Sequence, residues 1–282
     1  IGDKLAYYKF RALQNPFGVL FHPLAIENLI SRAIQEESYT GEEVFFLNER
    51  WQCYDAHSDL SSVAIEDLLG SLNSGLSKTK LYINKASHIF ITLGTAWTYQ
   101  LKESGKEVAN CHKVPQLAFK KELLSIEKIV QSLEAIVHQI QTINTKTQIV
   151  FTVSPVRHLK DGFLENQLSK AHLISAVHQI IKKGNALYFP SYELMMDELR
   201  DYRFYGNDLV HPNDLAITYI WEKFVSVWIA QEAWPTMEKV AAVQSGLNHR
   251  PFNPESLKHQ EFLKALDQKI TYLQKKYPYM KF

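Results

Sequence analysis

Asp208 and His211 stand three residues apart in Asp208-Leu209-Val210-His211-Pro212-Asn213, a spacing that lets a carboxylate fold back onto an imidazole. A carboxylate held on one ring nitrogen fixes the tautomer and leaves the other nitrogen to take a proton, as the general base of a hydrolase must. The same letters also describe a turn carboxylate and a surface histidine ahead of a helix cap. The neighbouring elements have to decide between the two.

Those elements are legible as alternating strands and helices. The runs His88-Ile89-Phe90-Ile91-Thr92-Leu93 and Ile149-Val150-Phe151-Thr152-Val153 are apolar, rich in β-branched residues and closed by Gly94 and by Ser154-Pro155, which predicts buried parallel strands. Between them, Phe119, Leu123, Ile126, Val130, Leu133, Val137 and Ile140 recur at spacings of three and four and predict one helix opened near Pro115. A second helix is predicted from about Asn166 to Lys183, stopped by Gly184-Asn185 and followed by a strand, Ala186-Leu187-Tyr188-Phe189. Further helices are expected from about Ser61 to Leu72 and from near Asn213. Strand, helix, strand, helix, strand predicts an α/β fold, a doubly wound parallel sheet flanked by helices. Ligands of such sheets sit outside the carboxyl ends of the strands, so Gly94-Thr95-Ala96-Trp97, Ser154-Pro155-Val156-Arg157-His158 and the Asp208/His211 loop are expected to face one cleft.

Composition bounds the partners. A chain of 282 residues, 46% hydrophobic, can build one catalytic-size core with an appendage. Residues 1–231 are expected to form the α/β domain and 232–282 a helical extension, in which Asn253 caps and Pro254 starts a helix striped by Phe262, Leu263, Leu266, Ile270 and Leu273. A net charge of +1 with no basic run argues against nucleic acid, and no apolar run reaches membrane-spanning length. Cys53 and Cys111 form no metal spacing, and His112 beside Cys111 lacks further ligands, so neither a metal nor a cofactor is expected. Oligomeric state and compartment cannot be read from the chain.

Many short blocks, in order, carry a resemblance. Tyr7-Tyr8-Lys9-Phe10, Asn15-Pro16-Phe17-Gly18, Tyr54-Asp55-Ala56-His57-Ser58, Leu93-Gly94-Thr95-Ala96-Trp97, Asn110-Cys111-His112-Lys113-Val114-Pro115, Ser154-Pro155-Val156-Arg157-His158, Glu165-Asn166-Gln167-Leu168-Ser169-Lys170-Ala171, Tyr188-Phe189-Pro190-Ser191-Tyr192-Glu193 and the Asp208/His211 block resemble the bacterial GSCFA family, a branch of the SGNH (GDSL-like) hydrolases. The resemblance runs from about Ile1 to Ala230 and implies an SGNH-hydrolase or flavodoxin-like fold. It implies a serine esterase or acyltransferase acting on a small-molecule or glycan ester, with His211 as base and Asp208 as its orienter. The Gly-Ser-Cys-Phe-Ala segment that names the family does not occur in the sequence and is expected ahead of Ile1. Ser154 is a poor substitute because Pro155 removes the next N–H, so these 282 residues are expected to hold a base without its nucleophile.

The family's oxyanion hole implies further residues. Gly18 would supply the second donor, and Gly94 stands in the third block, where it either contributes to the hole or marks a tight strand exit. Ala96 occupies the place of the family's asparagine amide, and Arg157, His158, His112 and Asn166 are the candidates to replace it, Arg157 first because a guanidinium can hold a developing oxyanion or an anionic group. His57 and Ser58 either line the cleft or cap a helix. The alternative function is a non-catalytic carbohydrate-binding or structural protein that keeps the cleft, with the missing asparagine as its support; a metal-dependent hydrolase ranks third.

Overall fold

The computed structural model describes all 282 residues, and they divide into two compact units, Asn15–Ile217 and a second formed by Ile1–Gln14 with Thr218–Phe282. In the second, α1 is Gly2–Tyr7. In the first, α2 (Pro23–Gln35) is followed by a hairpin of β1 (Phe45–Leu47) and β2 (Arg50–Gln52), then by α3 (Ile65–Lys85). The strands β3 (His88–Leu93), β4 (Trp97–Leu101), β5 (Glu107–Val108) and β6 (Phe119–Leu123) come next, then α4 (Ile126–Ile143), β7 (Gln148–Val153) and α5 (Phe163–Lys182). The strand β8 (Leu187–Tyr188) and a short α6 (Ser191–Glu193) lead to α7 (Asp214–Trp228), which spans the boundary between the units. Last come α8 (Trp234–Leu247) and α9 (Leu257–Lys276).

The mixed α/β architecture rests on a parallel sheet of order β3-β7-β8, in register from His88↔Gln148 to Leu93↔Val153 and from Val150↔Leu187 to Phe151↔Tyr188. β7 is the middle strand, and Ile149 to Val153 are all buried, as a strand covered on both faces requires. α4 and α5 cover one face, where Ile129, Leu133, Ile136, Ile140, Leu173, Val177 and Ile180 join Leu93, Phe151 and Val153 in one core; on the other, Thr152 Oγ1 lies 2.6 Å from Ser191 Oγ of α6.

Phe119 and Leu123 correct the expected helix. They belong to β6, which pairs antiparallel with β4 from Trp97↔Leu123 to Leu101↔Phe119, while β5 takes the other side of β4. The helix begins only at Ile126, because the Ser125 hydroxyl accepts from the Lys128 N–H at 3.2 Å and caps it. Phe119, Leu123 and Ile126 keep a helical spacing by coincidence of a strand end with a helix start. Similarly, α9 is capped by Ser256, which accepts from the His259 N–H at 3.2 Å, while Asn253 turns the chain ahead of it. α3 runs well past the expected Leu72. The second unit has a small core of its own, Val240, Val243, Leu266, Leu273 and Met280.

Candidate functional site

The Asp208/His211 loop is built by its own hydrogen bonds. Gly206 N–H donates to His211 O at 2.8 Å, and Leu209 N–H to Gly206 O at 2.9 Å, with Leu209 in the left-handed region at φ 57. Asp208 Oδ1 accepts from the Val210 and His211 N–H groups at 2.9 and 3.0 Å, and its Oδ2 lies 2.6 Å from His211 Nδ1. Those donors, the His211 N–H first, draw the Asp208 carboxyl down to about 2. Asn213 then closes the loop, its Oδ1 accepting from the Ala216 N–H at 3.1 Å as the cap of α7. With Nδ1 engaged by a carboxylate, Nε2 is the basic nitrogen, and the side chain is about two-thirds exposed (64%), so it is open to a reactant.

The two strand exits stand side by side because β3 and β7 end in register. Ser154 N–H continues the ladder to Leu93 O at 2.8 Å. One face of α5 ties both exits down. Lys170 Nζ donates to Gly94 O at 2.6 Å and to Ser154 O at 2.7 Å; Ser169 Oγ accepts from Ala96 N–H at 2.7 Å; Asn166 Oδ1 accepts from His158 N–H at 2.9 Å. All three side chains are buried, so the polar face of α5 is an internal strap and not a solvated helix end.

Arg157 meets the base-bearing segment. Its guanidinium lies 4.5 Å from the Tyr205 ring centroid and 5.8 Å from that of Tyr202, the residues that lead into the Asp208/His211 loop, and its Nε is enclosed without a partner. His158, next in the chain, is held below the ordinary 6.5 of an imidazole, chiefly by burial and then by the Lys170 charge; His211 lowers it further. That influence of His211 on the His158 ring puts the two in one neighbourhood. Phe21 lies edge-on to His158 with centroids 5.7 Å apart and to His57 at 6.3 Å, which brings the His57 segment to the same place.

The two glycines are otherwise occupied. Gly94 N–H donates to Phe21 O at 2.7 Å and Thr95 N–H to the same oxygen at 3.0 Å, so Gly94 serves as a tight strand exit and offers no free donor. Gly18 N–H is likewise spent on Asn15 O at 2.8 Å. Gly18 is required for a different reason: at φ +70 a Cβ there would stand 2.3 Å from His57 Cβ. His57 Nδ1 pairs with Asp59 Oδ2 at 3.1 Å. His112 is absorbed into packing, buried edge-on to Phe45 at 5.8 Å with Nε2 2.7 Å from Cys53 O.

No group of three or more His, Cys, Asp or Glu side chains is gathered to hold a metal ion, and no helix is long and apolar enough to cross a membrane. Burial pushes the Cys53 thiol up to about 12 and that of Cys111 to about 11, which removes both as nucleophiles near neutrality. In the sequence, Asn166, Ser169 and Lys170 stand at spacings of three and four that put all three on one helix face, but that spacing describes a solvated, capped helix end equally well and does not mark them as ties between strands.

These features define an α/β protein with a carboxylate–imidazole pair close to the exits of two parallel strands. The chain belongs to the GSCFA family: residues 1–224 match the GSCFA family model, and residues 240–282 match that of the GSCFA domain protein, C-terminal domain. No curated protein and no solved structure matches it.

Proposed function

We propose that the chain carries the general base of an SGNH-type acyl-ester hydrolase or transacylase with a flavodoxin-like sheet, acting on an ester such as an acylated glycan. The carrying observation is the 2.6 Å contact between Asp208 Oδ2 and His211 Nδ1, with Nε2 outward, beside the strand exits. In this reading His211 removes the proton of a serine hydroxyl, the serine attacks the ester carbonyl, and the acyl-enzyme passes its acyl group to water or another hydroxyl while His211 returns the proton to the leaving alcohol. The serine is that of the Gly-Ser-Cys-Phe-Ala segment, which does not occur within these 282 residues. Arg157 and His158 take the oxyanion, because the Gly18 and Gly94 N–H groups are bonded elsewhere.

The engaged glycine N–H groups also favour a second reading, a non-catalytic carbohydrate-binding protein that keeps the cleft. Turnover of a short-chain aryl ester separates the two. A chain that includes the Gly-Ser-Cys-Phe-Ala segment is expected to hydrolyse it and to lose activity to a serine-reactive phosphonate, while the 282-residue chain does not. Absence of turnover in the longer chain, with glycan binding retained, would replace the first reading by the second.

A further inference from the structure

Lys170 is fully enclosed at 0% exposure, and no carboxylate pairs with it. Enclosing an ammonium is costly, and an apolar side chain of similar length would fill the same space at no such cost. What the ammonium does that an apolar side chain does not is donate to two strands at once. Its tetrahedral N–H groups suit Gly94 O and Ser154 O together, where a serine hydroxyl would serve one. Ser154 lies three residues before Arg157 and four before His158, and Asn166, one turn earlier on α5, holds the His158 N–H.

We propose that Lys170 is a positioning residue of the candidate site, clamping the exits of β3 and β7 to each other and so fixing where Arg157 and His158 stand. The clamp is seen in the two hydrogen bonds; its purpose rests on the functional reading above. It acts through electrostatics as well as tethering. The His158 imidazole feels the Lys170 charge, with Asp161 opposing the effect and His211 adding to it. Burial and then the Lys170 charge keep the His158 ring neutral and able to donate one hydrogen bond and accept another, while His211, with a carboxylate on Nδ1, is suited to be a base.

The test follows the His158 ring by nitrogen-15 NMR titration in the unaltered 282-residue chain, in Lys170→Met and in Leu173→Ala, a core truncation on the same helix. In Lys170→Met the His158 midpoint is expected to rise toward 6.5, with its ring resonances shifted; in Leu173→Ala it stays where it was. An unmoved His158 in a folded Lys170→Met, or an equal move in Leu173→Ala, overturns the proposal. Should Lys170→Met not fold, the unaltered chain decides: one lysine Nζ is expected to exchange its protons slowly and to titrate below the rest, and the absence of any such lysine refutes the clamp. In the longer, ester-hydrolysing chain Lys170→Met is expected to lower kcat at least about tenfold with KM little changed, the scale of a misplaced catalytic group. A moved His158 without any ester turnover in the longer chain would leave the clamp standing and remove the functional reading.

Discussion

Lys170 also makes the stability of the protein depend on pH in a direction that can be worked out in advance. Burial lowers its midpoint from 10.5 to about 7 in the native state. Between those values the unfolded chain holds a proton that the folded chain has released, so folding stability rises with pH across the window, and below about 7 the full penalty for burying the charge is present. At about 1.4 kcal/mol per unit, the ceiling is about 5 kcal/mol. Hydrogen bonds from a charged donor, worth about 1.5–3 kcal/mol each, favour the ammonium in the native state and narrow the window from its lower end. With Gly94 O and Ser154 O both accepting, a gain of about 2 kcal/mol is the expected size.

The assay is denaturant unfolding from about pH 6.5 to about pH 9.5, comparing the unaltered chain with Lys170→Met. Cys53 and Cys111, whose thiols are pushed up by burial, pull the other way at the alkaline end, since the unfolded chain ionises them first. They are common to both chains and cancel in the difference. The difference in unfolding free energy is therefore expected to grow with pH in favour of the unaltered chain. Parallel curves would mean that Lys170 keeps an ordinary midpoint, and the argument from burial would fail.

Three further outcomes follow. In an ester-hydrolysing form, Asp208→Asn is expected to lower kcat by about four orders of magnitude, because the amide can still accept the backbone N–H groups at Oδ1 but presents the wrong partner to Nδ1; a fall below about tenfold in aryl-ester turnover would take the pair out of the mechanism. Arg157→Lys is expected to be nearly as damaging as Arg157→Ala to turnover, since a compact ammonium cannot replace a planar guanidinium against Tyr205; near-normal activity in the lysine variant would show that charge alone suffices. Gly18→Ala forces a side chain onto positive φ and into His57 Cβ, and is expected to cost at least about 2 kcal/mol in denaturant unfolding; an unchanged midpoint would refute the backbone argument.

The parallel strands were readable because burial on both faces leaves an unmistakable mark: Ile149 to Val153 contains no charge and ends at a breaker. The hydrogen bond between Asp208 and His211 was readable for a different reason, since it closes over three residues and needs no distant element. Non-local pairing was harder. Trp97-Thr98-Tyr99-Gln100-Leu101 has the composition of a strand, but nothing in Phe119-Lys120-Lys121-Glu122-Leu123 says that it lies alongside, and its apolar ends continue the helical spacing that follows. Hydrogen bonding of backbone N–H groups was not legible at all. That Gly18 and Gly94 spend theirs on Asn15 and Phe21 depends on loop geometry, which sequence spacing does not encode. Lys170 was hidden by its chemistry, because a lysine near a helix start is ordinarily solvated.

What the folded chain adds is a difference in surroundings between two histidines. His158 is half-buried, has a buried ammonium nearby, and is thereby held neutral; His211 is open to solvent and bound at Nδ1 by a carboxylate. Environments that separate two like groups in this way separate their roles, one as hydrogen-bond partner and one as proton acceptor. In the proposed hydrolase the separation would matter more than where backbone donors are available, since Gly18 and Gly94 have none to give and the oxyanion would be met by side chains. Side-chain donors are mobile unless held, and a misplacement of about 1 Å can cost about a hundredfold in rate. The strap of Asn166, Ser169 and Lys170 removes that freedom at the backbone from which Arg157 and His158 extend, so the buried face of α5 is as much a part of the site as the exposed Asp208/His211 pair.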